Sequence, residues 1–370
     1  MDNARLKSSF ARIAMHGDEV PLHFYSDLFL RHPETRPMFP VSMQAQRAHL
    51  VDALVRVVSS VDNVDDLAAF LQDLGRGHRK FGTLAEHYNA VGASLLATFA
   101  HFSGDAWDAG LEAEWRSAYE LIAGVMTAAA QEDEQQHPAY WTGTVVGHER
   151  RAFDVAVLTV ATEPRLTFVP GQSVAIESPA RPRLWRYYSM ANAPRPDGSV
   201  EFHVRLIDGG AVSMALTSGT TVGADLRLGP PVGALRLDAS SGRDIVMVAG
   251  STGLAPLKSM VEQAAGLARP PRVQLFFGVR TADGLYDLSS LEKMAAEEPW
   301  LTVIPVVTRG RFAGHTGPLA DVVNGLGDLT SHDVYLAGPT EMVQDTASRL
   351  VAGGTPAAQI HIEDFGWSEQ

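Results

Sequence analysis

The chain has 370 residues, of which 45% are hydrophobic, and its 43 acidic and 30 basic residues give a formal net charge of −13. At roughly 100 to 200 residues per domain, this length predicts two or three domains. The acidic balance and the lack of a basic stripe argue against a nucleic-acid partner. The absence of cysteine excludes disulfides, thiolate-bound metals and thiol nucleophiles, so any metal must be held by histidine or oxygen ligands.

The first seven residues lack the apolar run of a secretory signal, and no segment approaches the roughly 20 apolar residues that span a bilayer. We therefore expect a cytoplasmic protein without a membrane span. We also expect it to be a monomer.

Residues 1 to about 135 have the apolar periodicity of α-helices. Apolar side chains recur at three-to-four spacing, for example at Leu50, Leu54 and Val57. Three prolines between Leu30 and Ser42 interrupt the pattern and predict a helix corner. The acidic, polar stretch 131–138 then ends it and predicts a hinge. We predict an all-α first domain.

From Trp141 the apolar period changes to two, and short strand-like segments alternate with Pro and Gly turns up to residue 238. This pattern predicts an antiparallel β-barrel over residues 138–238. Beyond it, apolar strands such as residues 245–249 alternate with helical segments, which predicts a doubly wound α/β domain with a parallel sheet over residues 239–370. The fold class is therefore multidomain.

His78 lies near the end of a predicted helix, and Tyr88 follows at the start of the next one. A neutral imidazole can bind iron through one ring nitrogen while the other donates to a backbone carbonyl. One histidine among 13 is a weak indication, because most histidines are surface or core residues. Four upstream side chains could cover the opposite face of a flat apolar cofactor. They are Tyr25, Phe39, Gln46 and Leu50.

A predicted strand carries Arg186, Tyr187, Tyr188 and Ser189 in succession. A flavin nucleotide needs these chemistries: a cation for the pyrophosphate, an aromatic ring against the isoalloxazine, and donors near the reactive nitrogen. The alternative is a strand that carries these residues for packing alone. A glycine and serine segment follows, and its candidate phosphate-side residues are Gly210, Val212 and Ser213.

A glycine turn follows the predicted strand 245–249 and opens a helix, so bare backbone N–H groups can meet a pyrophosphate. The candidate contacts are Gly250, Thr252, Gly253 and Pro256. Arg280 could meet a 2′-phosphate, whereas the neighbouring Asp283 would repel one and could accept a hydrogen bond from a ribose hydroxyl. We therefore expect NADH to be preferred to NADPH.

In these segments the chain resembles the flavohaemoglobins. The matching stretches of the helical part are residues 23–29, 38–39, 46–47 and 87–98. Residues 168–172, the Arg-x-Tyr-Ser signature at 186–189, and the segments 336–339 and 362–367 resemble the ferredoxin-reductase superfamily. The resemblance implies a globin haem domain at 1–137, an FAD-binding barrel at 138–238 and an NAD(P)-binding domain at 239–370. It also implies haem b, FAD and NAD(P)H as cofactors.

The resemblance implies roles for single residues. His78 matches the proximal iron ligand, and Tyr88 matches the tyrosine beside it. Tyr25 and Gln46 match the distal hydrogen-bonding pair, while Phe39 and Leu50 match apolar residues on the porphyrin. In the reductase part, Gly338 and Pro339 match residues near the nicotinamide, and Phe365 matches the terminal aromatic near the flavin ring.

Three positions depart from the family pattern. Ala130 stands where the family has a glutamate that hydrogen-bonds the proximal histidine and its tyrosine. Gly77 stands where lysine is common, and Ala337 where cysteine is frequent. The first departure predicts an incomplete polar relay on the proximal side, and the third predicts slower hydride transfer.

The activity that the resemblance implies is nitric oxide dioxygenation. NAD(P)H reduces FAD, FAD passes single electrons to the haem, and nitric oxide and dioxygen become nitrate. The expected partners are therefore small molecules: O2, NO and NAD(P)H. Two alternatives stay open: an oxygen-binding or sensing globin that its own reductase keeps ferrous, and a flavin reductase with a haem-free globin-like domain. The missing carboxylate at Ala130 motivates the first alternative.

Overall fold

The computed structural model of the chain describes residues 2–365. The chain divides into two compact units, one that extends to Tyr140 and one that begins at Trp141. Among the described residues, no helix combines the length and the apolar character needed to cross a membrane.

The first unit is helical, as its periodicity predicts. Its α-helices are α1 Asn3–Ala14, α2 Glu19–Arg31, α3 Gln44–Ser59, α4 Val64–His78, α5 Ala85–Ser103 and α6 Ala109–Glu134. Side chains of Asp2, Asn63 and Asp108 accept hydrogen bonds from backbone N–H groups at the starts of α1, α4 and α6. The prolines of the predicted corner lie in or beside a 3-10 helix, Pro33–Met38.

The helices of the first unit bury an aromatic core. Phe99 on α5 is fully buried, and its ring lies edge-on to that of Trp115 on α6, with centroids 4.6 Å apart. Helices α4 and α6 approach most closely at Gly75, where an added Cβ would clash with the carbonyl oxygen of Met126. Only glycine fits there. This close approach sets the position of the last turn of α4, which ends at His78.

The second unit begins with an antiparallel sheet. Its strands are β1 Trp141–Arg150, β2 Val155–Glu163, β3 Ser173–Glu177, β4 Trp185–Ser189, β5 Ser199–Arg205 and β6 Asp225–Leu228, with the short helix α7 Ala211–Met214 before β6. The strand order is β4-β3-β6-β1-β2-β5. A bridge between Met190 and Phe202 links the two outer strands, so the sheet is a nearly closed barrel.

A parallel sheet with helices follows. Its elements are β7 Asp244–Gly250, α8 Leu254–Ala265, β8 Val273–Val279, α9 Leu288–Glu297, β9 Leu301–Val307, β10 His315–Thr316, α10 Leu319–Asn324, β11 His332–Gly338, α11 Thr340–Ala352 and β12 Ile360–Asp364. The order β10-β9-β8-β7-β11-β12 reverses direction between β7 and β11, which is the switch point where α/β sheets bind ligands. The predicted fold class, an all-α domain, an antiparallel barrel and a doubly wound domain, is confirmed.

Candidate functional site

His78 is the last residue of α4 and is half-buried. Its Nδ1 lies 2.6 Å from the carbonyl oxygen of Leu74, one turn earlier. A carbonyl only accepts, so Nδ1 carries the proton and Nε2 keeps its lone pair. Burial lowers the pKa of His78, which favours this neutral form. Nε2 makes no hydrogen bond within residues 2–365. An oriented neutral imidazole with a free nitrogen fits the iron of a haem.

Tyr25 is a buried residue of α2, and its ring contacts the rings of Phe39 at 5.5 Å and Phe29 at 5.8 Å between centroids. Its hydroxyl donates to the backbone carbonyl of Gln46 at 3.4 Å, a long hydrogen bond. The structure therefore joins the predicted distal pair through the backbone of Gln46. Burial raises the pKa of Tyr25 to about 12, so the phenol keeps its proton and remains a donor near neutral pH.

The other predicted haem-side residues lie on the same unit. Leu50 is a half-buried residue of α3 that packs against the aromatic core, as Phe39 does. Tyr88 lies in the first turn of α5, and its backbone carbonyl accepts a hydrogen bond of 2.5 Å from the Tyr119 hydroxyl. Burial raises the pKa of Tyr88. These aromatic and aliphatic walls fit a flat apolar macrocycle.

Sequence reasoning missed an ion pair beside His78. Arg79, the next residue, pairs with Asp133 on α6, and both side chains are only 10% exposed. His137 Nδ1 lies 2.9 Å from the other oxygen of the same carboxylate. Asp133 comes three residues after Ala130, so a carboxylate does approach the end of α4. It contacts Arg79, and within the described chain the hydrogen bond of His78 goes to Leu74.

The predicted flavin residues lie on β4. Arg186 donates to the carbonyl oxygen of Trp185 at 2.8 Å, and burial lowers its pKa. Tyr188 packs against the barrel core, and burial raises its pKa, so it stays a neutral phenol. Tyr187 points the other way and is 48% exposed. A guanidinium and two rings on alternate faces of one strand fit a flavin nucleotide.

Ser189, the last residue of β4, donates to Glu363 Oε1 on β12 at 3.0 Å. The second oxygen of Glu363 is buried and has no partner among residues 2–365. Burial raises the pKa of Glu363 to about 7, and the bond from Ser189 only partly offsets this effect. Glu363 is therefore a proton-carrying group beside the predicted flavin strand. We did not single it out from sequence, because nothing local pairs it with a serine 174 residues away.

The predicted phosphate-side segment is a turn closed by its own side chain. Ser213 Oγ accepts from the backbone N–H of Ile207 at 3.1 Å and donates to the carbonyl of Gly210 at 3.0 Å. Val212 is buried against the barrel core. Val212 can therefore meet a ligand only through its backbone, and Ser213 mainly shapes the turn.

The glycine turn after β7 forms a 3-10 turn, Ser251–Gly253, that leads directly into α8. An added Cβ at Gly250 would clash with the side chain of Met342 on α11, and one at Gly253 would clash with the carbonyl oxygen of Ala337 on β11. The two glycines therefore permit close packing on α11 and on β11, respectively. Ser251 has a φ of 55°, a left-handed conformation that is strained for a residue with a side chain. Pro256 is buried in the first turn of α8. Thr252 and the N–H groups of this turn remain to meet a pyrophosphate.

The structure brings the last predicted residues together at the end of β11. Gly338 has a φ of 146°, and its carbonyl accepts a hydrogen bond of 2.9 Å from the backbone N–H of Phe365. Pro339 precedes the first turn of α11. The predicted tail residues Gly366 and Trp367 lie outside the described residues. Gly338, Pro339 and Phe365 thus lie together at the carboxyl ends of β11 and β12, and β11 borders the switch point.

Comparison with known proteins covers all three parts of the chain. The Globin family model matches residues 22–126, the oxidoreductase FAD-binding domain matches residues 142–237, and the oxidoreductase NAD-binding domain matches residues 247–348. A flavohemoprotein of Rhizobium meliloti (strain 1021) is 29% identical over 397 aligned residues, which cover 98% of this chain and 96% of the relative. The match extends through every part of the chain.

Two further comparisons concern the reductase part and the fold. The ferredoxin–NAD(P)(+) reductase component of a naphthalene 1,2-dioxygenase system from Pseudomonas putida is 35% identical over 235 residues, 62% of this chain and 70% of the relative. A flavohemoglobin from Malassezia yamatoensis, solved with bound FAD and heme, shares the fold with a TM-score of 0.80 over 98% of both chains at 20% identity.

Fold, site and comparisons define an NAD(P)H-dependent flavohaem oxidoreductase, with haem held in its globin part and FAD and a nicotinamide nucleotide in its reductase part. The chain joins a globin part to FAD-binding and NAD-binding oxidoreductase parts and is similar to flavohemoproteins along nearly its whole length, as its sequence predicts.

Proposed function

We propose that this flavohaem oxidoreductase is a nitric oxide dioxygenase that converts nitric oxide and dioxygen to nitrate with electrons from NAD(P)H. The observation that carries the proposal is the Tyr25 hydroxyl. It is buried, its pKa of about 12 keeps it protonated, and its bond to the Gln46 carbonyl is 3.4 Å long. A weakly engaged donor can turn toward a ligand that gains negative charge, and such donors lower the energy of charged reaction states.

When bound, the flavin supplies the conversion of a two-electron donor into single electrons, and the haem supplies an iron that binds diatomic ligands. The residues of this chain hold the iron, donate a hydrogen bond to its ligand and hold a proton near the flavin strand. His78 offers Nε2 to the iron and is kept from rotating by Leu74. Tyr25 donates on the distal side. Ser189 holds the carboxyl of Glu363, which stores a proton at Oε1 or Oε2 near neutral pH.

The test is nitric oxide consumption by the haem- and FAD-loaded protein, with nitrate measured as the product. We expect consumption that needs both NADH and dioxygen and yields one nitrate per nitric oxide. The Tyr25→Phe variant should consume nitric oxide more slowly while its reduction of ferricyanide by NADH stays unchanged, since that reaction needs only the reductase part. No oxygen-dependent loss of nitric oxide would contradict the proposal.

A second candidate function is reversible oxygen binding or sensing by a globin that the reductase keeps ferrous. The observation that favours it is the partner of His78, which is the Leu74 carbonyl and not a carboxylate. A carboxylate partner would push charge onto the imidazole, whereas a carbonyl leaves it neutral. Slow nitric oxide turnover together with a long-lived oxygen-bound spectrum would favour this candidate over the first.

We also propose NADH as the preferred donor. Arg280 and Asp283 are both exposed after β8, and neither side chain makes an ion pair with another described residue. The Asp283 carboxylate is available to accept from a ribose hydroxyl and disfavours a phosphate. A higher kcat/KM for NADPH than for NADH would contradict this. We expect the enzyme to work as a cytoplasmic monomer, which sedimentation of the loaded protein and cell fractionation would check.

A further inference from the structure

A buried ionic network lies between the barrel and the nucleotide-binding sheet of the second unit. It begins on β5, where Glu201, His203 and Arg205 occupy alternate positions and so point to one side of the strand. Strand β5 stands at the end of the sheet order, where among the described strands its ladder is with β2, apart from the single bridge at Phe202. None of these three residues is among those predicted to bind flavin or nucleotide.

Each of these three side chains meets a different element of the nucleotide-binding part. Glu201 Oε1 accepts from Lys258 Nζ on α8 at 2.8 Å. His203 Nδ1 lies 2.8 Å from the hydroxyl of Tyr286, just before α9. Arg205 donates to Ser251 Oγ, in the strained turn after β7, at 3.0 Å. One face of one strand therefore holds a helix, the segment before α9 and the phosphate turn.

Lys258 is the centre of the network. Its side chain is 5% exposed, and its Nζ also lies 2.9 Å from Asp287 Oδ2. Asp287, fully buried, pairs through its other oxygen with Arg151 at the end of the β1–β2 hairpin. His203 donates to Glu201 from Nε2 at 3.1 Å. The second oxygen of Glu201 lies 3.4 Å from the Arg195 guanidinium. Two carboxylates thus face three cations, and every charge taken out of water has a partner of opposite sign.

Burial opposes ionisation in this network, and the partners overcome it. Burial would lower the pKa of Lys258, but the charges of Glu201 and Asp287 raise it. Burial would raise the pKa of Glu201, but the hydrogen bond from His203 and the charge of Lys258 lower it. Burial lowers the pKa of His203, which is therefore a neutral donor. The environment therefore favours the charged forms of Lys258 and Glu201.

Helix α8 makes further polar contacts with the barrel from the same side. Ser259 Oγ accepts from the backbone N–H of Gly171 at 3.0 Å. Glu262 Oε2 accepts from the backbone N–H of Ala193 at 2.9 Å. The helix begins at Leu254, directly after the turn that offers its N–H groups to a pyrophosphate. A rigid helix of 12 residues transmits the position of these contacts to that turn.

We propose that Lys258, with Glu201 and Asp287, is a positioning residue for hydride transfer: the network fixes the nucleotide turn against the flavin barrel. In that reaction the reduced nicotinamide loses a hydride and is oxidised, while the flavin gains the hydride and a proton and is reduced. Lys258, Glu201 and Asp287 are not among the residues predicted to bind flavin or nucleotide. The network acts through α8 on the place where the nucleotide lies, and small errors in such placement are costly in rate.

The test is anaerobic stopped-flow reduction of the bound flavin by NADH in the full-length, FAD- and haem-loaded protein. The dependence on NADH concentration separates the dissociation constant from the limiting rate of flavin reduction. Lys258→Met keeps most of the length of the unbranched side chain and removes its charge. We expect the limiting rate to fall about tenfold or more, while the dissociation constant stays within about threefold.

Further variants separate positioning from a general loss of structure. Lys258→Arg keeps the cation, and we expect it to recover most of the limiting rate. Glu201→Gln removes one charge with little change of shape, and it decides the question if Lys258→Met does not fold. Arg349→Ala breaks an exposed ion pair on α11 and is the matched control, with an unchanged rate.

Two readouts that do not depend on turnover complete the test. The flavin midpoint potential, from titration with dithionite, and the flavin absorption spectrum should match those of the unaltered protein, since Lys258 and Glu201 are not among the predicted flavin residues. A folded Lys258→Met or Glu201→Gln protein with a limiting rate within twofold of the parent would overturn the proposal. So would a weaker nucleotide affinity at unchanged limiting rate, or a shifted flavin potential that accounts for the slower reduction.

Discussion

Ser189 at the end of β4 donates to the carboxyl of Glu363 on β12 at 3.0 Å, and this bond joins the barrel to the last strand of the parallel sheet. A carboxyl group from a distant part of the chain therefore lies beside the strand that carries the flavin signature. Because the second oxygen of that acid is buried without a partner in the described chain, its environment favours the protonated form.

The first prediction is that Glu363 makes folding stability depend on pH. Its pKa is about 7 in the folded protein, against 4.5 as its ordinary value. The folded state therefore holds a proton that the unfolded state releases, and the free energy of unfolding falls as pH rises from 4.5 to 7. At about 1.4 kcal/mol per pKa unit, this loss is roughly 3 kcal/mol.

Glu363→Gln should not show this loss, because an amide does not ionise. Urea unfolding of both proteins at pH 5 and pH 8, with FAD present, measures it. We expect the free energy of unfolding of the variant, relative to that of the unaltered protein, to be higher at pH 8 than at pH 5. An identical pH dependence of the two proteins would mean that Glu363 is already ionised when folded.

A second prediction concerns ligand retention by Tyr25. Replacement by Phe keeps the ring contacts with Phe39 and Phe29 and removes the only donor of the side chain. A hydrogen bond to a charged acceptor contributes about 1.5–3 kcal/mol, so dioxygen should leave the ferrous haem about ten- to a hundredfold faster. Flash photolysis or stopped-flow displacement by carbon monoxide gives the rate. An unchanged rate would place the Tyr25 hydroxyl away from the bound ligand.

A third prediction tests the ligand assignment itself. His78→Ala should abolish the Soret band of the protein purified with added haem, while the flavin absorption and the reduction of ferricyanide by NADH persist. The reason is that the flavin and nucleotide residues lie on the second unit. His32→Ala, which removes a half-buried imidazole paired with Glu34, is the control and should keep the Soret band. A normal haem spectrum in His78→Ala would assign the iron to another residue.

A fourth prediction contrasts two glycines of α4. Gly75→Ala places a methyl group against the Met126 backbone on α6, and we expect a loss of roughly 1–3 kcal/mol of stability and weaker haem retention. Gly77→Ala meets no atom within 4 Å and replaces glycine inside a helix, so it should gain about 0.5–1 kcal/mol. Thermal unfolding of the two variants and the rate of haem transfer to apomyoglobin measure both effects. Equal effects of the two substitutions would contradict the close α4–α6 packing.

Much of the fold could be predicted from the sequence because each class of element has a local period. Three-to-four spacing predicts α3 and α6, and alternation predicts β2 and β5. The same is true of the phosphate turn, because a strand, a glycine turn and a helix follow each other directly in the chain. The domain boundaries at 137 and 238, and the roles of the predicted site residues, stay predictions that the experiments above test.

The pairings that give this site its chemistry have no local signal. Glu363 meets a serine 174 residues away, Lys258 meets a glutamate 57 residues away, and Arg79 meets an aspartate 54 residues away. Each pair forms only when two elements pack together, and whether a charge is then stabilised depends on burial and on partners that packing alone supplies.

Sequence by itself thus determined the order and class of the three folds, since periodicity acts over a few residues, and its short motifs carried the family resemblance that implies the cofactors. Tertiary structure alone decided whether Glu363 keeps its proton, which acceptor orients His78 and which charges hold α8 to the barrel. The physical reason is that pKa, orientation and ion pairing depend on distance and desolvation in space, and neither quantity can be read along the chain.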